Sequence, residues 1–310
     1  ESLPVLTRSV CSRLGAWART LHLPAESVSR FVSIVWLALL VRVMNLMRGY
    51  TCSLSLGHGV FFALGGYAFG MYLMRQIGRE GQYQSNLPDF MVFLDWKEYP
   101  WYWTNSDSFL WCVALVILVP ALLALVFGFF AFRSRIKGVY FSIITQAMTF
   151  AFRLLFFRNN TGFGGNNGFT DFKRVLGYPI TVPSTRATIF AITALAVIGT
   201  LFLTRYLIRS KVGRVLTAIR DSESRLMFSG YNPLGYKLFI WTLSAVLCGM
   251  AGALYVPQAG ILNPRERTPA NSIEIAAGDG VAGRGALAGA GVGGGAGPGA
   301  ARVFAAGRPG

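Results

Sequence analysis

Apolar residues in this chain come in long, nearly unbroken runs, not in the two-residue alternation of half-buried strands. The runs are Phe31–Met47, interrupted by Arg42 and Asn45; Leu56–Met74, rich in glycine; Leu110–Phe132, 23 residues without a charge; Val139–Phe157, with Arg153 near its end; Ala187–Leu203; and Leu238–Val256. A helix rises about 1.5 Å per residue, so roughly twenty apolar residues cross the ~30 Å of hydrocarbon in a bilayer. The pattern predicts an all-α fold: a polytopic helical integral membrane protein with about six transmembrane helices, solvated by a lipid membrane.

Composition narrows the function classes. Hydrophobic residues make up 53% of the 310 and charged residues only 14%, against about 25% in soluble domains. Too few polar residues are left to coat a soluble enzyme, and the chain is too apolar to be disordered. Lys+Arg is 29 and Asp+Glu is 13, for a net charge of +16. No basic groove with interleaved aromatics accompanies that charge, so it predicts cytoplasmic loops and no nucleic-acid partner. Arg133, Arg135 and Lys137 lie in one loop, and Arg209, Lys211, Arg214, Arg220, Arg225 and Lys237 in another. Both loops read as cytoplasmic. The segment 78–108 holds five carboxylates with Tyr99, Trp101, Tyr102 and Trp103, which suits an aromatic belt on the opposite side. Strict alternation then puts the basic segment 1–30 outside, against the charge rule.

Candidate chemistry is sparse. The cysteines (Cys11, Cys52, Cys112, Cys248) have no metal-ligand spacing, and the two histidines are His22 and His58. No metal site and no cofactor is predicted. A membrane-embedded acid/base enzyme has too few ligands, and the apolar runs hold no carboxylate of the kind an ion-coupled carrier needs. The glycine-rich segment 158–173 is not followed by Gly-Lys-Ser/Thr, so the chain shows no P-loop.

Three segments carry mechanism. In 209–237, Val212, Val215, Leu216 and Ile219 fall at i, i+3, i+4 and i+7, with Arg214, Ala218, Asp221 and Arg225 on the other face. That is an amphipathic cytoplasmic helix ending at Asn232-Pro233, either a docking element for a soluble partner or a solvated loop. Gly57 and Gly59 bracket His58, and Gly66 and Gly70 form a small-residue packing pattern, readable as tight packing or as a broken helix on a transport path. In the last run Ser244, Cys248 and Gly252, and likewise Ala245, Gly249 and Ala253, recur every four residues and suit close helix packing. Asn45, Thr145 and Gln146 can line a polar path or bond between helices. Arg42 and Arg153 can snorkel to a span end.

Taken together, the segments Gly49–Gly78, Phe127–Ala147, Arg158–Lys173, Gly213–Arg225 and Ser244–Gly260 resemble the permease subunits of branched-chain amino-acid-type ABC importers. The resemblance is closest to the urea-transport permease of the larger, LivM-like kind, through Phe163–Gly168 and Arg133–Tyr140. It implies an importer transmembrane domain over 31–275 in the bacterial cytoplasmic (inner) membrane, moving urea or short amides. The implied partners are a second, related permease subunit in a heterodimer, two ATP-binding cassette ATPase subunits that hydrolyse the ATP, and a periplasmic substrate-binding protein. It makes Gly213, Arg214, Arg220, Asp221, Glu223, Arg225 and Gly230 an ATPase-coupling loop, with Glu223 and Gly230 matching a degenerate EAA-type pattern. The candidate translocation path is Asn45, His58, Thr145 and Gln146, and the periplasmic loop Gly164, Gly165, Asn166 and Asn167. A branched-chain amino-acid permease and a degenerate, non-transporting subunit are the alternatives. The family would continue past Ile275 with an apolar span and a Gly-Gly-Arg-Gly-Thr-Leu-like turn. Here Gly283–Leu287 echoes the turn inside a tail, 276–310, of which 24 of 35 residues are Gly or Ala. A shifted reading frame near residue 276, and another upstream of residue 30, is the expectation.

Overall fold

The computed structural model describes residues 57–77 and 87–262, apart from Lys97, Thr104, Arg135, Lys137 and Asn166. The first apolar run, the basic segment 1–30 and the Gly/Ala tail lie outside the described residues. Seven α-helices are described: α1 (His58–Ile77), the five-residue α2 (Asp89–Phe93), α3 (Phe109–Arg133), α4 (Val139–Phe157), α5 (Pro183–Arg209), α6 (Lys211–Phe228) and α7 (Pro233–Ala259). Four two-residue strands form two small antiparallel ladders. β1 (Phe169–Thr170) pairs with β4 (Ile261–Leu262), and β2 (Arg174–Val175) with β3 (Tyr178–Pro179).

The protein is a polytopic helical membrane protein. Helices α3, α4, α5 and α7 are each long and apolar enough to cross a bilayer. The run Val139–Phe157 coincides with α4. The fifth and sixth runs underestimate α5 and α7, because Pro183 and Pro233 open these helices in polar sequence ahead of the apolar residues. Proline suits a first turn, where its missing N–H has no intrahelical partner. Leu118, Leu122 and Phe130 of α3 and Leu195 and Phe202 of α5 are exposed. In water such faces would be costly; facing lipid they need no protein cover.

Three helices form the core. α1 runs parallel to α7 so closely that a Cβ on Gly65 would collide with the backbone of Gly249, and a Cβ on Gly252 with the carbonyl of Phe62. α3 crosses the other side of α7, where a Cβ on Gly249 would lie 2.7 Å from Pro120 Cγ. The two small-residue stripes of α7 therefore serve the interior of this bundle: Ser244, Cys248 and Gly252 meet α1, while Gly249 also admits α3. Such backbone proximity replaces hydrophobic driving force where the solvent is itself apolar.

The helices alternate in direction. Arg133 and the segment 209–237 share one end; residues 87–108, 158–182 and 260–262 share the other. At the second end the aromatic belt differs from expectation. Trp101 is 86% exposed, but Trp103 is fully buried and stacks on Tyr99 at 6.2 Å. Arg75, at the end of α1, explains the inward turn. It donates to the Trp103 carbonyl at 2.7 Å, pairs with Asp107 at 2.5 Å and lies 4.6 Å from the centre of the Tyr99 ring.

Candidate functional site

Three regions carry the predicted site residues. The first is α6, at the basic end. Ser210 caps it, its hydroxyl accepting from the Gly213 amide. Gly213, Leu216 and Ile219 are buried, and Leu216 and Ile219 join the same apolar cluster as Ile240 and Trp241 of α7, with Val212 and Val215 packed alongside. Arg214, Arg220, Asp221 and Arg225 are exposed, so the apolar and charged faces lie as their spacing predicts. The helix is not continuous. Ser222 has φ −163° and ψ 98°, a non-helical residue between two helical segments. The kink redirects Glu223 toward α7, where Lys237 Nζ donates to Glu223 Oε1 at 2.6 Å with both side chains mostly buried. Gly230 follows the helix at φ +83°, a left-handed conformation that glycine adopts without a Cβ penalty. Asn232 then caps α7 by accepting from the Leu234 amide.

The second region is a polar cluster at mid-depth. α1 begins at His58, level with Ser244 in the middle of α7, so the described part of this helix starts inside the bundle. Ser244 donates to the Trp241 carbonyl at 2.8 Å. Its single proton is thereby used, and its oxygen accepts from His58 Nε2 at 3.2 Å. The Cys248 thiol donates to the His58 carbonyl at 3.1 Å, and Trp241 packs edge-on at 5.4 Å from the imidazole. Thr145 of α4 joins from the other side: a Cβ on Gly57 would lie 3.0 Å from Thr145 Cβ. The structure thus sets Thr145 against Gly57, the residue before His58. Gln146 is half-buried beside them on α4, and Asn45 lies outside the described residues. The Thr145 hydroxyl donates to the Ser142 carbonyl at 2.9 Å and that of Thr149 to the Thr145 carbonyl at 3.0 Å. These hydroxyls are held within their own helix, as is common for Ser and Thr in apolar surroundings.

From this cluster a stripe runs along α4: Ser142, Thr145, Thr149 and Arg153, spaced by three, four and four residues on one helical face. The first three are buried. Thr149 and Arg153 line a narrow crevice, with room for about one water, together with Phe152 and Phe156, facing Gly59, Val60, Ala63 and Tyr67 of α1. The sequence signal for Thr149 was available in that spacing; for Tyr67, a single aromatic among glycines and phenylalanines, none was.

The third region is the glycine-rich loop. Gly162, Gly164, Gly165 and Gly168 all have positive φ, and Gly164 and Gly165 are buried while Asn167 is exposed; Asn166 lies outside the described residues. Phe163 is inserted among Tyr67 (5.4 Å), Tyr102 (5.7 Å) and Phe156 (5.1 Å). Phe169 is fully buried against Gly70 of α1. The Tyr102 hydroxyl donates to the Thr161 carbonyl at 2.6 Å. The loop is folded down onto the ends of α1 and α4, with Asn167 left at the surface. Among the described residues there is no group of three or more His, Cys, Asp or Glu side chains placed to hold a metal ion.

Comparison with known proteins gives a consistent picture. The family described as "Branched-chain amino acid transport system / permease component" matches residues 28–296. The high-affinity branched-chain amino acid transport system permease protein LivM of Salmonella typhimurium is 26% identical over 256 residues, covering 76% of this chain and 53% of the relative. Its Escherichia coli counterpart is 25% identical over the same length and shares. The chain spans about half the length of these curated relatives. No solved structure gives a significant match.

Proposed function

Because the chain belongs to the family of branched-chain amino acid transport system permease components, we propose that it is a membrane-spanning subunit of an ABC importer, driven by ATPases on partner chains. The observation that carries this reading is α6. An amphipathic helix is seated on the basic end of the bundle, its apolar face buried against α7 and its arginines exposed. That is the form a docking element for a soluble ATPase requires. Its link to α7 through Glu223 and Lys237 offers a route by which movement of the docked partner biases the spans between two arrangements. The full assembly in this reading adds a second, related permease, two ATPase subunits and a periplasmic binding protein, in a bacterial inner membrane. ATP hydrolysis resides on the partners.

The solute in this reading is small: urea or a short amide, or a branched-chain amino acid. Urea is favoured by Phe163–Gly168 and Arg133–Tyr140, on which the resemblance to the urea branch rests. Branched-chain amino acids are favoured by the transport function that the two LivM relatives are named for. Vesicles containing all partner subunits decide between them. ATP-dependent uptake of urea that leucine does not compete supports the first, and the converse supports the second. If the wild-type assembly shows no ATP-dependent uptake of either, with all subunits present and the ATPases active, the importer reading is wrong.

A further inference from the structure

The chain between α4 and α5 carries Arg158, Lys173, Arg174 and Arg186 against one carboxylate, Asp171. It lies at the end of the bundle opposite α6, where the charge rule for loops expects few basic residues. The neighbouring segment 87–108 is acidic, so the positive excess is local to the β2–β3 hairpin and the start of α5. The hairpin turns through Leu176 and Gly177, at φ +51° and +80°, with Val175 opposite Tyr178. Positive φ at both central residues marks a type I′ turn, in which Asn-Gly is the usual pair. A leucine in the left-handed region is strained, and burial does not offset the strain here. Leu176 is 49% exposed, and Tyr178 and Val182 are 39% exposed, while Phe172 and Ile180 are buried on the inner side. A backbone hydrogen bond from Leu176 ties the turn to Tyr72 of α1. Tyr72 lies about two turns beyond Gly65, and two turns beyond the facing Gly249 is Val256, where the apolar run of α7 ends. The turn therefore sits at the border of the hydrocarbon. Arg186, which immediately precedes the apolar run Ala187–Leu203 of α5, is folded against the hairpin base: its Nε donates to the Ile180 carbonyl at 3.1 Å.

We propose that this hairpin and the first turn of α5 form a binding site for an anionic phospholipid, with Lys173, Arg174 and Arg186 on the headgroup phosphate and Leu176, Tyr178 and Val182 in the interfacial layer beside it. Arg174 and Arg186 are exposed and Lys173 partly so; Asp171, 4.0 Å from Lys173 Nζ, offsets only one of the three charges. A guanidinium takes a phosphate through parallel hydrogen bonds, and a tyrosine is at home where headgroups meet acyl chains. The exposed apolar surface continues down α5 through Ile192, Leu195 and Ile198, the face already turned to lipid. A soluble acidic partner would account for the cations but not for a strained, exposed leucine at the edge of the hydrocarbon. The proposal needs only the membrane placement of α5 and α7 and stands apart from the importer reading.

The test places the full chain in phosphatidylcholine nanodiscs with photoactivatable phosphatidylglycerol as the probe. Adducts mapped by mass spectrometry are expected within 172–186. Unlabelled phosphatidylglycerol should compete them, and extra phosphatidylcholine or inorganic phosphate should not. K173Q, R174Q and R186Q should each lower the yield in this segment roughly fivefold, the contribution of one basic residue beside an anionic surface, and R174K should keep most of it. L176N separates the lipid role from folding. Asparagine suits the turn, so thermal stability in detergent should rise while the adduct yield falls. Where R186Q loosens the hairpin, as hydrogen exchange in detergent would reveal, K173Q/R174Q carries the test. Adducts confined to other segments, equal competition by phosphatidylcholine, or an undiminished yield in either K173Q/R174Q or L176N overturns the proposal. So does loss of the adducts when a periplasmic binding protein is added to the full assembly, which would give this face to that partner.

Discussion

Lys237 Nζ and Glu223 Oε1 lie 2.6 Å apart, with side-chain exposures of 11% and 20%, and they join the segment beyond the Ser222 kink to the first turns of α7. A charge pair this sheltered loses little to solvent, and removal of one partner strands the other. Either E223Q or K237M should therefore lower the stability of the α6–α7 junction by about 1.5–3 kcal/mol, the range for hydrogen bonds to charged groups. In the assembled complex each substitution should leave ATPase recovery intact but reduce the uptake obtained per ATP hydrolysed. The exchanged pair E223K/K237E should restore most of that ratio. Failure of the exchange to rescue, with both single variants impaired, would mean that each residue acts through something other than its partner.

The crossing of α1 and α7 gives a sharper stability prediction. G65A, G249A and G252A each place a methyl group where a facing backbone or proline already stands, and backbone cannot move aside as a flexible side chain can. Each should cause a large loss of thermal stability in detergent and poor recovery of folded protein. Gly199 of α5 is the control, because nothing lies within 4 Å of the position its Cβ would take. There alanine should be neutral or stabilising by up to about 1 kcal/mol, through its better helix propensity. Equal behaviour of G199A and G249A in a thermal shift assay would contradict the packing.

These two cases mark where the sequence was legible. Span positions follow from hydropathy, because a membrane helix must be apolar over a fixed length, and α4 begins and ends where its apolar run does. The buried face of α6 follows from the 3.6-residue period, and the stripes of α7 announced close packing. The break at Ser222 did not show, since no Gly or Pro stands there and the tertiary pull of Lys237 on Glu223 is invisible in local spacing. The burial of Trp103 was likewise hidden. An aromatic cluster in a loop satisfies an interfacial belt as well as a packed cap, and only Arg75, 28 positions earlier in the chain, distinguishes them. Of the predicted path residues, Thr145 lies against Gly57, next in the chain to His58, because α4 passes the start of α1, a relation that no property of either segment states.

The aromatic cap also makes a pH prediction. Burial pushes the Tyr99 phenol above its ordinary value of 10.0; Arg75 beside it pulls in the opposite direction, and Asp107 adds to the rise. Burial likewise raises Tyr102, against a smaller lowering effect from Trp103. A folded-state value raised above the unfolded one stabilises the fold below pH ~10 and ceases to do so as pH climbs through the raised value. Ultraviolet titration of the purified protein should therefore show the Tyr99 and Tyr102 phenols among those ionising late, together with loss of the cap's protection from protease. Replacing Arg75 by Met should move the Tyr99 ionisation later still. Ionisation of both phenols at the ordinary value in the folded protein would show that the cap is not formed.

The coupling assignment of α6 rests on which of its faces is available. Gly213, Leu216 and Ile219 hold the helix to the bundle, so Arg214, Arg220 and Asp221 can be altered without unseating it. Asp221 accepts from Arg220 Nε at 3.1 Å, an exposed contact that contributes little to the fold. Reversing charge at two exposed positions instead turns attraction into repulsion across any interface that uses them, which costs far more than the contact itself. The variant R214E/D221K should therefore insert into the membrane at wild-type levels yet lose at least about nine-tenths of ATPase copurification. L216D should fail in a different way, by releasing α6 from α7 and exposing it to protease. Wild-type ATPase recovery with R214E/D221K would show that the partner docks elsewhere, and α6 would then be no more than a connecting helix between α5 and α7.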